Sequence, residues 1–222
     1  MAKHLQRDLD QLKKRLLEVG ALVEEATNSA IVALTELRKD LAETVITRDS
    51  EIDERELEIE NECLKILALH QPVARDLRFV IGILKVNNDL ERMGDQAVNI
   101  AERAIQLTDY PPLGMPLDFH HMAEVVRTMV RSSLDAHVNE DTKLARTVRL
   151  MDDEVDDIHR EMFAILKSRM CDESGTVERA VAYLSSSRDL ERIADLATNI
   201  AEDVIFMVEG QLVRHREPDP PS

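Results

Sequence analysis

The chain has 222 residues, 44% of them hydrophobic, only 3% aromatic and none Trp, and it carries a formal net charge of −16. An acidic chain with no run of Lys and Arg excludes phosphate-backbone binding, which needs basic residues gathered on one face, so no nucleic-acid partner is expected. Apolar residues this abundant and periodic also exclude an acidic disordered protein and suffice for an aliphatic helical core in one or two domains.

A first helix is predicted over about residues 4–39. Its apolar residues Leu5, Leu9, Leu12, Leu16, Val19, Val23, Ala26, Ala30 and Ala33 recur in steps of three and four, the spacing of a bundle seam. A second helix covers about 41–69 and stops before Pro72, and a third runs from near Val73 to about Leu107. The segment TDYPPLGMPLD (108–118) holds three prolines and a glycine, which exclude helix interior and mark a linker. Three further helices follow at about 119–139, 142–170 and 177–210, and the polar RHREPDPPS end reads as a disordered tail. The expected architecture is all-α: a three-helix bundle over 1–107, the linker 108–118, a second bundle over 119–212 and the tail 213–222. The charged start MAKHLQRDLDQLKKRL and the lack of any apolar run near the ~20 residues of a membrane span predict a cytoplasmic protein without signal peptide or membrane insertion. Cys63 and Cys171, far apart and without CxxC spacing, read as buried free thiols.

The two halves are copies of one plan. DLERMGDQAVNIAE (89–102) recurs as DLERIADLATNIAE (189–202) with ten of fourteen positions identical, and LAETVITRDSEID (41–53) aligns with LARTVRLMDDEVD (144–156). The retained letters include polar ones that packing does not demand. Glu91, Asp95, Asn99 and Glu102 return as Glu191, Asp195, Asn199 and Glu202, while Gln96/Leu196 and Val98/Thr198 drift. Set against the seam Ile83, Val86, Leu90, Met93, Ala97, Ile100 and Ala104, this ladder is expected on the opposite face of its helix, and Leu190, Ile193, Ala197, Ile200 and Val204 place the second copy alike. An acidic ladder on one helix is usually a solvated face; its double retention argues for use.

Asp49 and Asp152 extend apolar seam rows, through Glu56 and His159 respectively, where a carboxylate is costly unless paired, coordinated or near a wet bundle end. Paired carboxylates without adjacent Cys or His form a hard oxygen ligand set suited to Mn, Mg or Fe. The buried di-iron pattern with Glu-x-x-His is missing. No Gly-rich phosphate loop, GxSxG or His–carboxylate grouping supports catalysis, His120–His121 beside the linker reads as incidental, and Arg75 and Arg78 are expected to pair with Asp76 or neighbouring acids.

QPVARDLR (71–78), the doubled DLER…NIAE phrases, DSEID and DDEVD together resemble the PhoU family, regulators associated with bacterial phosphate-specific ABC transporters. The resemblance covers essentially the whole chain. It implies two three-helix bundles, multinuclear metal sites at E(D)xxxD motifs, and negative regulation of the phosphate-starvation response by linking the transporter to a sensor histidine kinase. The motif carries over as Asp49/Asp53, Glu91/Asp95, Asp152/Asp156 and Glu191/Asp195, with Ala194 standing where the first copy has Gly94. The resulting expectation is a non-enzymatic adaptor, a homodimer, holding divalent or trivalent Fe, Mn or Mg ions and contacting the transporter's ATPase subunit and the kinase. The alternatives are a metal-dependent hydrolase that activates water on those ions, and a helical scaffold whose acids do nothing specific.

Overall fold

The computed structural model describes residues 2–210. Within them lie six long helices and no strand: α1 (Ala2–Glu36), α2 (Lys39–His70), α3 (Ala74–Leu107), α4 (Phe119–Asn139), α5 (Thr142–Asp172) and α6 (Val177–Glu209). The predicted boundaries hold within a few residues, except that α1 stops at Glu36 rather than near 39. The expected tail, and the last two residues assigned to the second bundle, lie outside the described residues.

The sequence explains the ends. Asp141 caps α5 by accepting from the N–H groups of Lys143 and Leu144 at 2.9 and 3.1 Å, and Asp118 accepts from His121 N–H at the start of α4. Gln71 closes α2 in the left-handed region, its N–H bonding to Leu67 O, and Pro72 prevents further helix. The turns α1–α2 and α4–α5 are the same structure. Leu37 and Glu140 have φ of 54° and 55°, and the N–H groups of Arg38 and Asp141 reach the carbonyls of Ala33 and Ala136, both at 2.9 Å. An offset of 103 therefore relates the first two helices of each copy, while 100 relates the third, the difference falling between the second and third helices.

In the first copy α1, α2 and α3 pack on one another; in the second α4 and α5 both pack on α6 and on each other. The seam residues predicted in α3 and α6 are all buried. The copies meet through like helices, α3 against α6 and α1 against α4, a pseudo-twofold arrangement. One contiguous core runs through both, from Leu12 and Leu16 through Ile83 and Leu90 to Ile193 and Val204. Each such aliphatic side chain contributes roughly 1.5–3 kcal/mol on burial. Two ion pairs fix the antiparallel register of α3 on α6: Lys85 with Asp203 at 3.2 Å, and Arg103 with the buried Asp189. Cys63 is buried, but Cys171 is exposed, because α5 is at its last turn there and has left the core.

Candidate metal centre

Helices α2 and α3 bring Asp49, Asp53, Glu91 and Asp95 to one flank of the first bundle. The expectation that the Glu91 ladder faces away from the core needs correction. Helix α3 packs on three neighbours, α1, α2 and α6, so its solvent-facing part is a strip along Arg78, Lys85, Arg92 and Asp95 rather than a whole face. Glu91 and Asn99 are half-buried on the flank toward α2, whereas Asp95 and Glu102 are exposed. Asp49, half-buried, has its carboxyl pushed above the usual range by burial first and then by the charges of Asp53 and Asp95. Glu91 is raised in the same way, by burial and then by Asp95, Asp53, Glu56 and Asp49. The four carboxylates share one patch and repel one another.

The second bundle repeats this with Asp152, Asp156, Glu191 and Asp195. Burial, then Asp195 and Asp156, pushes Asp152 up to about 6, against a partial offset from the Thr198 hydroxyl, which donates to it at 3.3 Å. Thr198, set aside in sequence as drift, thus touches the site. Burial and Glu191 raise Asp195. Behind each patch the copies differ in a matched way. In the first, the Asn87 amide donates to Glu56 Oε1 at 3.3 Å; in the second, His159 sits at Glu56's position, with Nδ1 2.9 Å from the hydroxyl of Ser187, Asn87's counterpart, and Nε2 3.8 Å from Glu191.

Gly94 shows why its flank is tight. A Cβ there would lie 3.1 Å from Ile52 Cδ1 and 3.3 Å from Asp49 Oδ1. The second copy has Ala194 at this place and accommodates the methyl with the smaller Val155 where the first has Ile52. Gly94→Ala gains roughly 1 kcal/mol of helix propensity and crowds Ile52 at a similar cost. The expected result in a urea double-mutant cycle is a favourable coupling of at least ~1 kcal/mol between Gly94→Ala and Ile52→Val. Simple additivity would show that the exchange is incidental.

The donor chemistry fits a hard cation. Asp49, Asp53, Glu91 and Asp95 have no hydrogen bond or ion pair among the described residues, and a cation is what such uncompensated, partly dehydrated oxygens lack. As the side chains stand, no group of three His, Cys, Asp or Glu among the described residues is closed around an ion.

Other sequence expectations fall elsewhere. Arg75 pairs with Glu140 of the second copy at 2.6 Å rather than with Asp76, and His121 pairs with Glu154 at 3.2 Å. Sequence reasoning missed Arg149, a buried cation 3.4 Å from Glu202 and standing where the first copy has Ile46. The exchange of Ile46 for a charged residue between otherwise aligned segments was its one signal.

Fold and patches together define a class: a duplicated all-α protein with one carboxylate patch per three-helix repeat. The PhoU domain profile matches residues 16–104 and again 119–204, and the chain belongs to the PhoU family. It is 40% identical over 210 residues to the phosphate-specific transport system accessory protein PhoU homolog of Aquifex aeolicus, covering 95% of each chain. It is 39% identical to the Pseudomonas putida homolog, covering 97% of this chain and 84% of that one. The crystal structure of PhoU from Pseudomonas aeruginosa superposes with a TM-score of 0.88 at 37% identity, over 93% of this chain and 99% of the other. The phosphate transport system regulatory protein PhoU of Streptococcus pneumoniae gives 0.87 at 31%, over 94% and 99%.

Proposed function

We propose that this chain is a non-enzymatic regulator of phosphate transport that represses the phosphate-starvation response from the cytoplasmic side. It does so by linking the ATPase subunit of a phosphate ABC transporter to a sensor histidine kinase. The observation that carries the role is similarity over 95% of the chain to a protein named as an accessory protein of phosphate-specific transport. No helix among the described residues is long and apolar enough to cross a membrane, so contact with membrane machinery would be made by docking.

The carboxylate patches are its cation-holding elements: Asp49, Asp53, Glu91 and Asp95 in one bundle, Asp152, Asp156, Glu191 and Asp195 in the other. Fe, Mn or Mg would supply positive charge that cancels their repulsion and ties α2 to α3, and α5 to α6. This chain's residues contribute the oxygens, and Thr198 orients Asp152. A cation that binds only the folded chain stabilises it by mass action, about 2.7 kcal/mol at a hundredfold excess over Kd. For a chain of this size that corresponds to a melting shift of roughly 5–10 °C. The expected shift with Mn²⁺ or Fe shrinks by about half when Glu91→Gln and Asp95→Asn remove one patch. No bound metal by elemental analysis, with no shift, would contradict the cation role. The regulatory role is tested separately. Deletion in the native host should derepress a phosphate-responsive reporter in high phosphate, and a tagged chain should recover the transporter ATPase and the kinase. Unchanged reporter output with neither partner recovered, or robust metal-dependent turnover of a phosphoester, would overturn it.

A further inference from the structure

The two copies are unequal in one respect. Helix α1 has 35 residues and α4 has 21. The 103 offset fixed by the matching turns places Phe119, the first residue of α4, at the register of Leu16. The two family matches begin at these same residues, 16 and 119. Ala2–Arg15 of α1 therefore have no helical counterpart in the second bundle.

In the first bundle that extra stretch is the cover of the α2–α3 pair. Leu9 and Leu12 are buried, Arg15 reaches Glu58 at 3.3 Å, Asp8 meets His70 at 3.0 Å, and Lys13 lies over the Phe79 ring of α3. In the second bundle the first part of the linker packs on the α6 side, and its end reaches only the edge of the α5 side. Arg179 donates to Pro111 O at 2.8 Å, Tyr110 bonds to Glu178, and Leu113 is buried. The α5 side remains an open groove of about 590 Å³, lined by Leu117, Asp118, Ile158, Glu161, Met162 and Ile165.

The residues of that groove have changed in a consistent direction. Ile158 stands where covered α2 has Arg55, and Ile165 where it has Glu62. At these two groove positions uncovered α5 is more apolar than covered α2, the reverse of what solvent exposure favours, although elsewhere Arg160, Lys167 and Asp172 stand where α2 has Leu57, Leu64 and Leu69. Glu161 keeps the acid of Glu58, but the arginine that meets Glu58 from α1 has no equivalent, and Glu161 has no ion pair among the described residues.

We propose that this groove is a docking site for an amphipathic helix of a partner protein. The helix presents a leucine stripe to Ile158, Met162 and Ile165 and a Lys or Arg to Glu161, as Leu9, Leu12 and Arg15 do in the first bundle. The occupant is basic on one edge because the charge awaiting it, Glu161, is acidic, with the α4 cap Asp118 adding to the negative potential of the groove. Helix-in-groove recognition of this kind takes its affinity from the apolar anchors and its register from the charge. The inference rests on the inequality of the repeats and is independent of the regulatory role and of the cation patches.

The test uses the full-length protein and a fluorescent synthetic peptide of residues 2–19, whose leucines and Arg15 already fit the equivalent groove. Anisotropy should show saturable binding. Ile158→Arg with Ile165→Glu, which installs the residues the first copy tolerates at these places, should weaken it at least tenfold with unchanged helicity and melting. Glu161→Lys should weaken it several-fold, and a peptide carrying Arg15→Glu should recover most of that loss. No saturable binding, or equal binding to the Ile158→Arg, Ile165→Glu protein, overturns the proposal. Tenfold tighter binding after removal of residues 211–222 would make the chain's own end the occupant. Conversion of a dimer to a monomer by the groove substitutions, seen by sedimentation, would make it a second copy. Either outcome also overturns the partner helix.

Discussion

Arg149→Ile should destabilise the protein by about 3–5 kcal/mol, the usual effect of removing one member of a buried ion pair and leaving the other charge without compensation. The side chains of Arg149 and Glu202 are 5% and 11% exposed and lie 3.4 Å apart. Isoleucine is the residue the first copy has at this place, so the change in shape is one the fold already accepts, and the loss comes from the polar contacts of Arg149, the Glu202 pair among them. Its counterpart Glu102 is exposed, and Glu102→Gln should change stability by less than ~0.5 kcal/mol. Urea denaturation of Arg149→Ile, Glu202→Gln and the pair separates the effects: the double variant should regain more than half of what Arg149→Ile loses. A double variant as unstable as the single one would mean that Arg149 acts through packing of its aliphatic stem.

The second large effect is a pH dependence centred on His137. This residue of α4 is 1% exposed, its ring lies 5.5 Å from that of Phe79, and neither ring nitrogen has a hydrogen-bond partner among the described residues. Burial, reinforced by the charge of Lys13, lowers its pKa to about 4. The unfolded chain takes up a proton near pH 6.5, while the folded one does not until about 4. His137 therefore works against folding progressively as pH falls between those values, and its contribution is constant above and below them. The full effect is about 3 kcal/mol. Many raised carboxylates act in the opposite sense over part of this range, so the informative quantity is a difference. His137→Leu, which copies Leu34 of the first copy, should gain about 3 kcal/mol over wild type on going from pH 7.5 to pH 4. A pH-independent difference would place His137 in contact with a proton acceptor.

Most of the helical plan was legible because it is local. Three-and-four spacing marked the seams, Pro72 and the 108–118 prolines marked breaks, and the doubled phrases showed two copies. Pairing between the copies was not legible. Arg103 with Asp189 and Lys85 with Asp203 join residues about one hundred positions apart, and nothing in either segment alone announces the match. The outward placement assigned to the Glu91 ladder held for Asp95 and Glu102 but not for half-buried Glu91 and Asn99, for the same reason. A two-faced helix pattern assumes one buried side, whereas α3 is covered by α1 and α2 within its bundle and by α6 from the other. The eight carboxylates stood out because duplication kept them. Thr198, Arg149 and the exchange of Asn87–Glu56 for Ser187–His159 were missed because they differ between copies. Those differences follow compensating contacts, as Gly94 with Ile52 and Ala194 with Val155 show.

The role proposed for the carboxylate patches is in signalling rather than in holding the fold. They are tested together by a variant carrying Asp49→Asn, Asp53→Asn, Glu91→Gln, Asp95→Asn, Asp152→Asn, Asp156→Asn, Glu191→Gln and Asp195→Asn, expressed in a strain lacking the native protein. Without added metal its melting temperature should equal or exceed that of wild type, since mutual repulsion is removed. A phosphate-responsive reporter should nevertheless be derepressed in high phosphate, as in the deletion strain. Full repression by the folded variant would contradict the claim.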